Sequence, residues 1–252
     1  MSEIVTYIES LDLPAPRSRG PDELAAPPPA FTGDKQGIAI ASQLTEFTGR
    51  VTEIIRPAVS NSLLLAQLAA DEANPGAQDP KAWFATFNTV LGKVGWLPVG
   101  GVTTSQQISD RDAELYKAII PVLAAALGPA AAAGSIIISA LKGLQSMNED
   151  SPWITLFQRK SQRAKVAQFG LNYIDGGNDG GAALKAIYFS LTATNMLTQV
   201  LFVKLSEANA TVSSEEREAM LSAAAIAAAQ DALQAKVGPH IAENIKNIDI
   251  GN

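Results

Sequence analysis

The chain has 252 residues, of which 47% are hydrophobic and only 17% charged, and its formal net charge is −6. This acidic balance excludes nucleic-acid binding, which needs concentrated Lys and Arg to neutralise phosphates. The absence of cysteine excludes disulfides, thiolate catalysis and zinc–thiolate sites. A chain of this length buries roughly 70–75% of its unfolded surface, so one core is sufficient.

The N-terminal residues predict no Sec-type signal peptide. Glu3 stands where a signal peptide carries basic residues, and no long apolar stretch follows it. We therefore expect a soluble protein that is either cytoplasmic or exported without a cleavable signal. Residues 1–34 are predicted to form a proline-rich arm, because six prolines lie between residues 12 and 33. That arm is either a linker along the surface or a docking motif for a partner.

Helical spacing of apolar residues predicts that residues 35–148 form the helical part of the domain. Apolar positions from Ile40 to Leu68 recur at this spacing, and Pro57 is expected to kink or divide the run. Asp79-Pro80 predicts the start of the next helix, because an N-cap is followed by proline at the first helical position.

Residues 118–141 are predicted to form an uncharged αα-hairpin, because no charged residue lies between Lys117 and Lys142. Gly128 suits the end of one helix and Pro129 the first turn of the next. Each half is only roughly 15 Å long, too short to cross a bilayer of about 30 Å. The hairpin is therefore either a buried core pair or a stored membrane-inserting element. Its candidate residues are Ile119, Ile120, Val122, Leu123, Leu127, Gly128, Pro129, Ile136, Ile137, Ile138 and Leu141.

Residues 152–212 are predicted to form the sheet part, with strands at 153–157, 167–173, 187–191 and 197–205. The glycine-rich stretch 175–181 predicts a hairpin turn. A C-terminal helix is expected over 213–237, ending at Gly238-Pro239 and followed by a tail. The predicted fold is a single α+β domain over residues 35–252. In it, N-terminal helices and the central apolar hairpin pack on a small antiparallel sheet, followed by the C-terminal helix.

Apolar and aromatic motifs also carry a family resemblance. They are Lys81-Ala82-Trp83-Phe84, Gly95-Trp96, the segment from Ser151 to Phe157, the segment from Thr198 to Phe202, and the segment from Asn247 to Ile250. In this order the chain resembles a family of uncharacterised microbial proteins of about 250 residues. The resemblance implies a single domain and implies no activity.

No catalytic or metal-binding constellation is found in the sequence. His240 is the only histidine, so a histidine-based nucleophile site or zinc hydrolase site is not expected. Helix capping accounts for the acidic pairs, and the glycine pairs form no nucleotide-binding motif. We therefore expect a protein without cofactor, metal or enzymatic activity. The acidic pairs are Asp110/Asp112, Glu149/Asp150 and Glu215/Glu216.

One basic cluster stands out, and it consists of Arg159, Lys160, Arg163 and Lys165. It is either a contact for an anionic membrane surface or a solvated loop between strands.

Three hypotheses of function follow, each with its own partner. The leading one is a non-enzymatic, membrane-active effector or toxin-like protein that inserts the hairpin into a lipid membrane, assisted by the basic cluster. The alternative is a structural or interaction protein that self-associates into homo-oligomers through strand edges or alanine faces. The third is a small-molecule-binding domain or unrecognised enzyme with a pocket between the sheet and the helix carrying Trp83, Phe84 and Phe87.

Overall fold

The computed structural model describes residues 2–16, 29–75, 79–99, 114–197 and 199–249, together with the backbone of residues 106 and 107. Residues 17–28 of the predicted arm lie outside the described residues. The same holds for the acidic pair Asp110/Asp112, and for Thr198 and Ile250 of the resemblance motifs.

The described part of the chain contains eight α-helices and nine strands. The helices are α1 Glu3–Ser10, α2 Arg56–Ala73, α3 Pro80–Lys93, α4 Leu115–Leu127, α5 Pro129–Ala133, α6 Ile136–Gly143, α7 Pro152–Ser161 and α8 Ala223–Asn244. A short 3-10 helix, Leu144–Ser146, follows α6. The strands are β1 Gln36–Ile40, β2 Gln43–Phe47, β3 Trp96–Pro98, β4 Gln106–Gln107, β5 Gln162–Arg163, β6 Val166–Gly176, β7 Ala182–Thr192, β8 Thr211–Leu221 and β9 Ile245–Asn247.

All nine strands belong to one mixed sheet with the order β3-β8-β7-β6-β2-β1-β9, in which β4 pairs with β8 and β5 with β6. The pair β2–β6 is parallel and the other pairs are antiparallel. The predicted α+β class is confirmed, but the sheet is larger than predicted and is not purely antiparallel.

The centre of the sheet is the long hairpin β6–β7, and the predicted turn between these strands is confirmed. Gly180 has a φ of +79°. A Cβ on Gly181 would lie 2.1 Å from the carbonyl oxygen of Leu221, so no larger residue fits there. The turn therefore needs glycine at both positions for different reasons.

Helices cover both faces of the sheet. Along β7, Leu184, Ala186 and Tyr188 join one apolar core, whereas Ile187 and Phe189 join the other. The first core also takes residues from α1, α2, α3 and α8, and the second takes residues from α4, α6 and α7. Alternate residues of a strand point to opposite faces, so the chain forms a helix–sheet–helix sandwich rather than helices on one side.

The prediction of helix from residue 36 to 55 is wrong, since residues 36–47 form the antiparallel pair β1–β2. All five residues of β2 are buried because both faces of the sheet are covered. A strand buried on both faces loses strict alternation, and its apolar positions then coincide with helical spacing. Pro57 does not kink a helix but lies in the first turn of α2.

Three further assignments are wrong in the C-terminal half. Residues 153–157 lie in helix α7, and residues 199–205 form bends, turns and one isolated bridge from Lys204 to Glu114 rather than a strand. Residues 213–221 belong to β8, and α8 begins after them and continues through Gly238-Pro239 to Asn244. The sequence of β8 favours helix locally, but eleven residue pairs with β7 outweigh that propensity.

The predicted arm contains the helix α1, which packs on the core. Ser2 caps this helix, and Ile8 is fully buried. Lys236 of α8 donates a 2.9 Å hydrogen bond to the carbonyl oxygen of Glu9. The first part of the predicted arm is therefore part of the folded domain.

Candidate functional site

The predicted hairpin consists of three helices, α4, α5 and α6, instead of two. Gly128, with a φ of +77°, separates α4 from α5 as predicted, and Gly134-Ser135 separates α5 from α6. The hydroxyl of Ser135 accepts a 3.2 Å hydrogen bond from the amide of Ile138 and so caps α6. The second predicted helix is divided because this cap starts a new helix seven residues after Gly128.

The candidate hairpin residues divide into a buried base and a surface part. Ile119, Leu123, Ile137, Ile138 and Leu141 are buried in the core that α4 and α6 share with the sheet. The others are half-buried or exposed; they are Ile120, Val122, Leu127, Gly128, Pro129 and Ile136.

We call residues 124–134 the tip. It contains seven alanines, Leu127, Gly128, Pro129 and Gly134, and none of its eleven residues is buried. No side chain in the tip carries a polar group, so the tip presents uncharged apolar surface to solvent.

Three side chains form hydrogen bonds to the helix ends around the tip. Two of them lie in strands of the sheet and one lies just before β1. Lys185 of β7 donates a 2.9 Å hydrogen bond to the carbonyl oxygen of Ala126 near the end of α4. Lys35, just before β1, donates to the carbonyl oxygen of Gly134 at the end of α5. Glu46 of β2 accepts hydrogen bonds from the Ser135 hydroxyl, at 2.6 Å, and from the Ile137 amide, at 3.2 Å.

The charges of these three side chains match the helix dipoles. The ammonium groups of Lys185 and Lys35 lie at the C-terminal ends of α4 and α5, and the carboxylate of Glu46 lies at the N-terminal end of α6. Glu46 is fully buried, and its other oxygen lies 2.9 Å from the ammonium of Lys35. A buried carboxylate is tolerated only when it is paired and hydrogen-bonded. Glu46 therefore fixes the start of α6 on the sheet.

The basic cluster lies at the opposite end of the sheet from the tip. Lys165 directly precedes Val166, the first residue of β6, whereas the tip contacts Lys185, which pairs with Tyr173 near the last residues of β6. Arg159 and Lys165 are exposed, while Lys160 and Arg163 are half-buried. The structure does not bring this cluster together with the hairpin tip.

The inward half of the basic cluster joins a charged junction that the sequence did not reveal. Arg163 lies 3.2 Å from Asp71 of α2, which also accepts a 2.9 Å hydrogen bond from the Trp83 indole. Burial lowers the pKa of Lys160, against the opposing effect of Asp71. His240 of α8 is buried beside Lys160, and burial is the main reason that its pKa lies below 6.5.

The pocket expected beside α3 is filled by aromatic side chains. The rings of Trp83 and Phe87 stack with centroids 5.4 Å apart, and Tyr188 of β7 lies 5.1 Å from Phe84 and 5.5 Å from Phe87. This aromatic cluster is part of the core. Surface grooves of about 520 and 620 Å³ lie instead next to Tyr7 of α1.

Among the described residues, no group of three or more metal-ligating side chains lies close enough together to hold a metal ion. Within the same described residues, no helix has both the length and the apolar character needed to cross a membrane.

No family model matches the chain, and no curated protein matches it, which is consistent with the family resemblance stated above. Two solved structures are similar in part. One, named delta-endotoxin, has a TM-score of 0.39 and 15% identity and covers 83% of this chain and 91% of its own. The other, the Evf virulence factor, has a TM-score of 0.41 and 11% identity and covers 100% of this chain and 93% of its own. Both TM-scores lie below 0.5, so neither likeness supports a function for this chain.

The substitution Glu46→Gln is expected to lower the free energy of unfolding by about 1–3 kcal/mol, because an amide leaves a buried donor or the Lys35 ammonium without its acceptor. The control is Glu218→Gln, whose side chain is half-exposed in its ion pair with Lys185 and should cost no more than about 1 kcal/mol. Urea unfolding measures both. Equal losses in the two variants would contradict the structural role of Glu46.

Protein stability should fall as the pH drops below 6.5, in part because of His240. The folded protein holds this imidazole neutral where the unfolded chain binds a proton, so acid favours unfolding. One proton accounts for at most about 1.4 kcal/mol per pH unit. Urea unfolding at pH 7.5 and pH 5 should show a smaller loss for His240→Gln than for the parent chain. An unchanged loss would show that other groups cause the pH dependence.

Proposed function

We propose that the protein is a non-enzymatic, membrane-active effector that contacts lipid with the tip. The observation that carries this proposal is the tip itself, eleven consecutive residues that bear no polar side chain and are all at least partly exposed. Soluble proteins seldom expose a contiguous apolar element without a use for it.

The dimensions of the tip favour shallow insertion rather than a membrane span. Helix α5 has five residues, and α4, of which only residues 124–127 belong to the tip, has thirteen; the full helices are roughly 8 Å and 20 Å long at 1.5 Å per residue. Such elements match an interfacial position, in which an apolar face enters about 5–10 Å into the boundary between headgroups and acyl chains. We therefore propose contact with one leaflet.

The basic cluster is not needed for this contact, because it lies at the other end of β6. Two lysines of the described residues bond to helix ends around the tip, Lys35 and Lys185, and each is paired with a carboxylate, Glu46 or Glu218. These paired charges offer no net attraction to anionic lipid, so apolar burial would drive the contact.

A single fluorophore tests the proposal, because the chain has no cysteine of its own. Ala130→Cys places an environment-sensitive dye on the exposed part of the tip, and Lys165→Cys places it in the exposed basic cluster as a matched control. With phosphatidylcholine vesicles, we expect a blue shift of emission only for the dye at position 130, together with release of a trapped dye. A shift only at position 165, or no shift and no leakage at any lipid composition, would refute membrane contact through the tip.

Self-association remains a second candidate because of one exposed apolar pair. Leu97 of β3 and Met220 of β8 are cross-strand partners with exposed fractions of 64% and 40%. An exposed apolar pair near the end of a sheet is a site for contact with another chain.

Light scattering at high protein concentration tests this candidate. If the pair mediates self-association, the parent chain should form a defined oligomer and Leu97→Ser should be monomeric. Ile54→Ser is the control, since Ile54 is 78% exposed and lies in the turns before α2. A monomeric parent chain, or equal effects of the two substitutions, would rule out this interface.

A further inference from the structure

We infer that the tip is a flap that Lys35 and Lys185 hold closed, and that it opens between Leu123 and Ser135 while the sheet, the start of α4 and α6 stay folded. The opening is a property of the free protein. Its use as the first step of membrane contact rests on the function proposed above.

The limits of the flap follow from burial. Leu123 is 2% exposed and Ser135 is 1% exposed, whereas the eleven residues between them are all at least partly exposed. Ser135 is also bonded to the buried carboxylate of Glu46. Both ends of the flap are therefore fixed. The chain between them has no fully buried side chain, so its release uncovers less apolar surface than release of the buried parts of α4 and α6 would.

The two lysines act as ties because each joins the tip to the sheet. Lys185 bonds to the carbonyl oxygen of Ala126, and Lys35 bonds to that of Gly134. Each lysine side chain is about one-third exposed, at 34% and 36%, and each keeps a carboxylate partner. On opening, water replaces the lost carbonyl contact, and the ammonium is not left buried without a partner.

A groove open to solvent borders one side of the tip. It has a volume of about 320 Å³ and lies beside Leu127, and Val99, Ala183 and Met220 are among the residues that line it. No atom lies within 4 Å of the position that a Cβ on Gly128 would occupy. Leu127 is only partly buried against the core and borders this groove, so moving it breaks fewer contacts than moving a fully buried leucine would. Gly128 and Gly134, both without Cβ, are suited to act as joints at the ends of α5.

Hydrogen exchange in solution, without any lipid, tests whether the hydrogen bonds from Lys35 and Lys185 hold the tip closed. Lys185→Met keeps the aliphatic stem and removes the ammonium, so we expect the amides of residues 124–133 to exchange roughly tenfold faster, as for loss of one charge-assisted hydrogen bond. Amides of β6, β7 and α6 should exchange as in the parent chain. Glu218→Gln is the matched control, because it removes the partner of Lys185 but leaves the tie to Ala126, and it should not change exchange in the tip.

Lys35→Met combined with Glu46→Gln is the second variant, so that no buried carboxylate loses its cation, and it should accelerate exchange in the same residues beyond the effect of Glu46→Gln alone. Unchanged exchange of the tip in both variants would overturn the inference, and so would an equal acceleration in β6 and β7, which would indicate global unfolding. The outcome is independent of the membrane experiment. Faster exchange without a vesicle-induced shift at position 130 would support the flap and refute the lipid contact, and the opposite pair of results would do the reverse.

Discussion

The burial of one carboxylate determines how the apolar hairpin sits on this fold. Glu46 has no exposed surface, so its charge requires a cation and hydrogen-bond donors inside the protein. Lys35 supplies the cation, and Ser135 and the amide of Ile137 supply the donors. Glu46 of β2 must therefore lie in contact with both Lys35, just before β1, and the start of α6. This contact determines the position of the tip.

This arrangement explains how one uncharged segment fulfils two different structural demands. The sandwich needs apolar residues on both faces of its sheet, and Ile119, Leu123, Ile137 and Leu141 satisfy that need on one face. The residues of the tip are not buried, although four of them, Ala124, Ala126, Leu127 and Ala132, pack partly against that core. The alternatives of buried core and membrane element thus describe different residues of the same segment, and the membrane role is proposed only for the tip.

Short sequence motifs correctly predicted the caps, breaks and turns whose conformation depends on neighbouring residues. The Asp79 cap of α3, the break at Gly128-Pro129 and the glycine-rich turn after β6 all match, because each depends on residues close in sequence. Residues 36–47 and 213–221 were predicted as helix, but their conformation is decided by pairing with distant strands. Pro239 was expected to end a helix, yet α8 continues past it because the helix is held by its packing against α1 and α2.

The residues around the tip show the same dependence on contacts that are distant in sequence. The apolar, uncharged sequence of residues 118–141 was sufficient to predict the tip. The polar groups that hold the tip were missed, since Glu46 lies 89 residues from Ser135 and Lys185 lies 59 residues from Ala126. An isolated lysine or glutamate gives no local sign of such a role. The basic cluster was conspicuous in the sequence, but in the folded chain half of it turns inward to Asp71 and His240.

Hydrogen exchange of the vesicle-bound protein tests the central claim most directly, because it reports on every element at once. If the tip enters lipid while the rest of the fold persists, the amides of residues 124–133 should become slower to exchange on vesicles than in solution. The amides of β6, β7 and α6 should keep their solution rates. Loss of protection throughout β6 and β7, or a tip that exchanges equally fast with and without vesicles, would contradict the account.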